Sequence, residues 1–274
     1  MQLGETWDFR DSQELLISDA YAKEGYVIED ADFQYLEHMK NILETAFGEY
    51  LRSRNKHCTT LVDAHQVISH EESNDLRLYI MKEISEGTSF QEYYYNAAKK
   101  IIHQLCGNEL AMQKRPGLSL NLPNNHNDVL PIHADTWNGV SPFELNIWIP
   151  FVDCSDSMCL YILKRDRYKQ RLADSSGLLK LTSDELFNKL KEDLTWIPIQ
   201  YGKILAFDQS LPHGYSLNVE KQSHWSMNCR FKGLHTPYWD KKLGEYFMPI
   251  TVKSCTRLGI DYKQPLEWLE EDHE

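Results

Sequence analysis

Two residues near the middle of the chain, His133 and Asp135, have types and spacing that could do chemistry. On an extended segment, positions i and i+2 project to the same face. An imidazole nitrogen and a carboxylate oxygen placed in this way can reach one metal ion. A third donor has to come from elsewhere. His213, in Leu211-Pro-His-Gly-Tyr215 just after the short apolar run Ile204-Leu-Ala-Phe207, is the candidate. Two histidines and one carboxylate on one side of an ion leave its other coordination positions open to small molecules. A His-x-Asp pair alone says little in a chain with 11 histidines. Its weight comes from the order of the segments downstream of it: a strand, a long insertion, a second strand, His213, then a strand carrying an inward arginine.

That arginine is Arg230. Trp225-Ser-Met-Asn-Cys-Arg-Phe231 alternates in polarity, so Ser226, Asn228 and Arg230 share one face. A guanidinium is a planar fork that matches a carboxylate bidentately. Lys203, Lys232 and Arg115 are the substitutes for this role.

Elements must position these groups, and the chain changes period to supply them. Residues 11–110 read as mostly helical. Tyr21 to Ile28 reads as a helix end, a glycine stop and a short strand. Asp32 to Leu51 carries apolar residues at helical spacing (Phe33, Leu36, Met39, Leu43, Phe47), and Leu76 to Ile84 forms a shorter helix. Ser89-Phe-Gln-Glu92 predicts a capping box for a helix that Gly107 ends. Residues 115–235 read as strands: 117–122, 144–149 and 225–231 by strict alternation, with 160–163, 195–199 and 204–207 beside them. Thr182-Ser-Asp-Glu185 caps one inserted helix running to about Leu190, and the tail after Thr236 reads as partly irregular. Leu118, Leu145, Ile147, Met227 and Phe231 mark the core face of the strands. The other face carries Ser119 and Asn121, Asn146 and Trp148, Ser226 and Arg230, a set that suits a polar cavity better than open solvent.

Composition narrows the class further. The formal charge of −12 argues against a nucleic-acid binder and a polybasic membrane anchor. Apolar runs such as 147–152 fall far short of the roughly 20 residues that span a bilayer. The N-terminus lacks the basic and apolar regions of a secretory signal. Six scattered cysteines without paired spacing read as reduced thiols, and a cytoplasmic location is the expectation. His57, His65 and His70 are read as surface or packing residues.

From Tyr21-Ala-Lys-Glu-Gly-Tyr-Val-Ile28 to about Thr236, the chain resembles the Fe(II)/2-oxoglutarate-dependent oxygenases, most closely the phytanoyl-CoA dioxygenase-like superfamily. Leu145-Asn-Ile-Trp-Ile-Pro-Phe-Val-Asp153 is similar to that family's strand after its His-x-Asp motif. Tyr201-Gly-Lys-Ile-Leu-Ala-Phe207, followed by His213 and Asn218, is similar to its segment bearing the distal histidine. The resemblance implies a double-stranded β-helix, a jelly roll packed on helices, within a single domain over 1–274. Its parts would be a helical region 1–112, a core of about 113–236 and an extension 237–274. It implies iron ligands His133, Asp135 and His213, with 2-oxoglutarate and molecular oxygen as co-substrates. Arg230 would anchor the distal carboxylate of 2-oxoglutarate, with Asn121, Asn146, Trp148 and Ser226 lining the cofactor cavity. The chain departs from the family pattern in two places. Leu163-Lys-Arg-Asp166 replaces the frequent Pro-Gly-Ser-His turn, and Arg230 lies farther past the distal histidine than is common.

The activity implied is hydroxylation or desaturation of a small polar molecule, in sugar or natural-product biosynthesis. A carboxylate at 135, where halogenases of this family carry a small residue, argues against halogenation. A homodimer is compatible with this reading. Two other classes share the donor set: a zinc hydrolase, with Glu144 or Asp208 as general base, and a non-catalytic cupin-like binding protein.

Overall fold

In this computed structural model, residues 9–85, 89–173 and 180–263 are described. The first eight residues, which bear on the signal expectation, and the end of the extension from 264 lie outside them. The chain begins with α1 (Ser12–Glu24), β1 (Tyr26–Asp30), α2 (Phe33–Arg52), α3 (Ser73–Ser85) and α4 (Phe90–Cys106). Strands come next: β2 (Leu110–Gln113), β3 (Gly117–Asn121), β4 (Leu130–His133), β5 (Glu144–Pro150) and β6 (Leu160–Leu163). Then come α5 (Arg165–Ala173), α6 (Ser183–Leu190), β7 (Leu194–Ile197), β8 (Lys203–Phe207), β9 (His213–Tyr215), β10 (His224–Gly233), β11 (Phe247–Thr251) and α7 (Ser254–Asp261).

The strands form two antiparallel sheets. The larger runs β1-β8-β5-β10-β2-β11, with β3 also paired to β10, and the smaller runs β4-β9-β6-β7. This is the jelly roll expected from the sequence. The helices cover the outer face of the larger sheet because they carry the apolar stripe that face needs. Leu36, Met39, Leu43 and Phe47 of α2 and Tyr94, Ala98 and Ile101 of α4 are buried in one core with Leu145, Ile147, Met227 and Phe231. Each such side chain contributes roughly 1.5–3 kcal/mol by leaving water. Tyr94 adds direction: its hydroxyl donates to the carbonyls of Ile147 and Met227, at 2.8 and 3.0 Å.

The outer halves of β5 and β10 are therefore core, and their other face turns into the barrel. All seven residues of β5 are buried, including Asn146 and Trp148. The alternation thus separates two buried environments, one apolar and one polar. Two local expectations need correction. Ser89 stands at the start of α4, but its backbone (φ −82°, ψ 23°) is not extended, and its side chain makes no capping bond. The box at Thr182 and Glu185 does form. The larger sheet also reaches beyond the expected core of about 113–236, since β1, β2 and β11 all join it.

Candidate metal centre

β4 and β9 pair in antiparallel register with His133 opposite His213, and an irregularity between Leu130 and His133 adjusts the strand. The two imidazole rings lie 4.5 Å apart. Gly214 follows His213 because the strands approach closely there. A Cβ at this position would meet the Leu130 carbonyl oxygen and the Tyr161 hydroxyl, each at 2.5 Å. Asp135 lies just past β4 in a single helical turn, and its amide donates to the Gln209 carbonyl at 2.9 Å. That bond ties the His-x-Asp segment to the loop that delivers His213.

The loop is itself held firmly. The Asp208 amide donates to the Gly25 carbonyl at 2.8 Å, and the Leu163 amide donates to the Pro212 carbonyl at 2.8 Å. Arg165 pairs with the Asp208 carboxylate. The departure Leu163-Lys-Arg-Asp166 therefore forms the start of α5 and grips the approach to His213.

Donor atoms of His133, Asp135 and His213 all lie within 4.8 Å of one another. Both histidines are oriented in the same way. His133 Nδ1 lies 2.8 Å from the Pro131 carbonyl, and His213 Nδ1 lies 2.8 Å from the Leu211 carbonyl. Each Nδ1 donates to a carbonyl two residues back, which leaves Nε2 as the ligating atom. His133 Nε2 stands 3.3 Å from Asp135 Oδ1. Two imidazole nitrogens and one carboxylate oxygen brought together in this way fit a divalent transition metal.

The electrostatics suit an ionised carboxylate. Burial alone would raise the Asp135 pKa, but its contact with His133 and the charge of Arg230 outweigh it and hold the group well below the usual range. Burial, followed by the nearby His133, pushes the buried His213 down to about 4, so its imidazole is neutral at pH 7.

Arg230 reaches this cluster from β10. Its Nε and Nη2 both donate to Asp135 Oδ2, at 3.2 and 2.6 Å. Nε also donates to Gln209 Oε1 at 2.7 Å, and Nη1 donates to Gln113 Oε1 at 3.3 Å and to the Tyr246 hydroxyl at 2.6 Å. Asn146, opposite Arg230 in the β5–β10 register, is buried and its Oδ1 has no partner. A donor from a bound molecule would satisfy it. Trp148 donates from Nε1 to the Tyr215 hydroxyl, and Ser226 Oγ lies 2.7 Å from His224 Nε2. Asn121 bonds the Asp128 carbonyl at 3.1 Å and, with Ser119 and Tyr215, lines a cavity of about 400 Å³.

The alternative cations are elsewhere. Lys203 pairs with Asp30 on the outside of the sheet, and Arg115 is exposed. Lys232 is buried, donates to the Pro237 carbonyl at 2.6 Å and stacks on Tyr238. His65 and His70 bond backbone or serine groups outside the cluster, and His57 is exposed. The sequence reading missed Gln113, Gln209 and Tyr246. The nearest available signal was Gln209, which lies between Phe207 and His213 on a segment already singled out.

The fold is a jelly roll, and His133, Asp135 and His213 form within it a group that could hold a metal ion. No family model and no curated sequence matches the chain. Solved structures do. The non-heme monooxygenase ThoJ, in a nickel complex, aligns over 88% of this chain and 85% of its own, with a TM-score of 0.51 and 10% identity. The α-ketoglutarate-dependent carbocyclase SnoK from nogalamycin biosynthesis aligns over 90% and 100%, with a TM-score of 0.51 and 13% identity. EctD from S. alaskensis, with 2-oxoglutarate and 5-hydroxyectoine, aligns over 85% and 80%, with a TM-score of 0.51 and 11% identity. At these identities the likeness establishes the fold. Among the described residues, no helix is long and apolar enough to cross a membrane.

Proposed function

We propose that the protein is a non-haem Fe(II)- and 2-oxoglutarate-dependent dioxygenase that hydroxylates or desaturates a small polar molecule in sugar or natural-product biosynthesis. The observation that carries this is the convergence of His133 Nε2, His213 Nε2 and an ionised Asp135, in the fold shared with ThoJ, SnoK and EctD. His133, Asp135 and His213 would hold the iron. With 2-oxoglutarate and molecular oxygen, the bound metal supplies the oxidising power that removes hydrogen from an unactivated carbon.

The chain's own residues prepare the site. The Pro131 and Leu211 carbonyls fix the tautomer of each ligand histidine. Asp135 offers a negative charge that offsets part of the cation's. Asn146, opposite Arg230 in the β5–β10 register, holds a buried amide oxygen without a partner. Phe207 packs edge-on against His213 with ring centroids 5.0 Å apart, closing the inner side of that ligand.

The zinc-hydrolase alternative needs an available general base. Glu144 and Asp208 do not supply one, because their carboxylate oxygens already accept bonds. Glu144 takes the Ser141 amide and Gln209 Nε2, and Asp208 takes Ser210 and Arg165. The test is anaerobic Fe(II) titration followed by measurement of oxygen-dependent succinate formation. Wild type should bind one metal and decarboxylate 2-oxoglutarate, and His133→Ala or His213→Ala should do neither. Full turnover in either variant would overturn the assignment.

A further inference from the structure

We propose that Arg230 is a positioning residue for Asp135, and that the C-terminal segment takes part in the metal site through Tyr246. This inference rests on the metal-centre reading above. It gives Arg230 a different task from reading the far carboxylate of a co-substrate.

The geometry divides the two oxygens of Asp135 between two tasks. Oδ2 takes both Nε and Nη2 of Arg230, while Oδ1 is turned toward His133 Nε2 at 3.3 Å. A carboxylate gripped on one oxygen presents the other in a fixed direction. Partners of this kind orient metal ligands.

The guanidinium is immobilised in turn. Gln113 comes from β2, Gln209 from the loop before β9 and Tyr246 from the residue before β11. Gln209 is anchored beyond Arg230, since its Nε2 donates to Glu144 Oε2 at 3.0 Å. Tyr246 is fixed by its backbone. Its carbonyl accepts from the Lys114 amide and its amide donates to the Lys242 carbonyl, both at 3.0 Å.

Every nitrogen of Arg230 is therefore engaged by oxygens of the protein. One edge of the fork, Nε with Nη2, is filled by Asp135. Nη1, which the other edge would need, is engaged by Gln113 and Tyr246. A second carboxylate could dock bidentately only by displacing one of these groups. Both charged side chains are largely buried, 16% and 9% exposed. Removing the arginine would leave a buried carboxylate without its counter-charge and free to rotate.

Titration of Mn(II) into protein free of any 2-oxo acid tests this, followed by 2-oxoglutarate titration of the Mn(II)-loaded protein. Arg230→Met should weaken Mn(II) binding by roughly 10–100-fold. Arg230→Lys, which keeps the charge and loses the fork, should fall between it and wild type. Tyr246→Phe should weaken Mn(II) binding severalfold. The 2-oxoglutarate affinity of the loaded variants should stay close to wild type. Wild-type Mn(II) affinity in Arg230→Met, with 2-oxoglutarate binding lost, would overturn the inference and assign the arginine to the co-substrate. If Arg230→Met does not fold, Arg230→Lys and Tyr246→Phe decide: wild-type Mn(II) affinity in both overturns the inference. Failure of wild type itself to bind Mn(II) is a separate result, which overturns the metal-centre reading and this inference with it.

Discussion

Two buried histidines, His213 and His224, are fixed alike at Nδ1 and differ at the other ring nitrogen. Both are buried, both have Nδ1 set 2.8 Å from a backbone carbonyl, and burial lowers both pKa values to about 4. They differ at the other nitrogen. His224 Nε2 is taken by Ser226 Oγ at 2.7 Å, so the ring is satisfied at both ends. His213 Nε2 faces His133 and Asp135 instead. Burial and a fixed tautomer do not make a ligand. What makes one is a second nitrogen that the fold leaves facing other donors. Around His224 the neighbours are the Trp148 and Tyr215 rings and Cys154 Sγ at 3.8 Å, none of them a charged group.

The sharpest way to break this comparison is to exchange metal binding between the two ends. His213→Ala should abolish Mn(II) binding, whereas His224→Gln should retain it within a fewfold of wild type. Calorimetric titration checks both. Loss of metal in His224→Gln, in a folded protein, would show that the deep cluster supports the site and is not separate from it.

The second effect is on stability against pH. The folded pKa of His224, about 4, lies below the unfolded value of 6.5. The folded state therefore binds fewer protons between these values. The stability from keeping the ring neutral is full above pH 6.5 and is lost as pH falls toward 4. The slope is up to about 1.4 kcal/mol per pH unit for one proton. His213 adds a term of the same sign, so the measurable quantity is a difference. His224→Gln should unfold in denaturant with a dependence on pH that is shallower than wild type by about one proton over this window. Parallel curves would mean that folding leaves the His224 pKa at its unfolded value.

The sequence showed much of this architecture but little of its wiring. Alternation in β3, β5 and β10 was long enough to reveal two faces, and the polar one is buried in β5 and partly buried in β3 and β10. β4 and β9, which carry His133 and His213, span four and three residues, too few to display a period. His133 was legible only through its spacing to Asp135, and His213 only through its place in the order of elements. Arg230 was legible as an inward residue, but its acceptors were not. Gln113, Gln209 and Tyr246 come from distant parts of the chain, and a glutamine or tyrosine carries no spacing rule that announces a partner. The tail read as irregular because β11 is an edge strand containing Pro249, which suits an edge and weakens a pattern.

The smallest predicted effect tests how the deep cluster is built. Trp148 Nε1 donates to the Tyr215 hydroxyl, and both residues are buried. Tyr215→Phe removes that acceptor and leaves the indole N–H without a partner in a place water does not reach. The change removes no apolar surface and alters the volume little, so the cost is set by the buried groups left unsatisfied, the Trp148 donor with Ser226 and Ser119, at about 1–3 kcal/mol. Tyr215 sits two residues past His213 on the same strand, with the same face inward. A change that disturbed the strand would therefore also disturb the metal site, and Mn(II) affinity reports that separately. Chemical denaturation should show the loss in stability while Mn(II) titration stays at wild type. A drop in both would mean that the Trp148–Tyr215 pair holds β9 in place for His213. The two ends of the barrel would then be one cooperative unit, and the contrast between the two histidines would depend on their shared strand as well as on the partner of each Nε2.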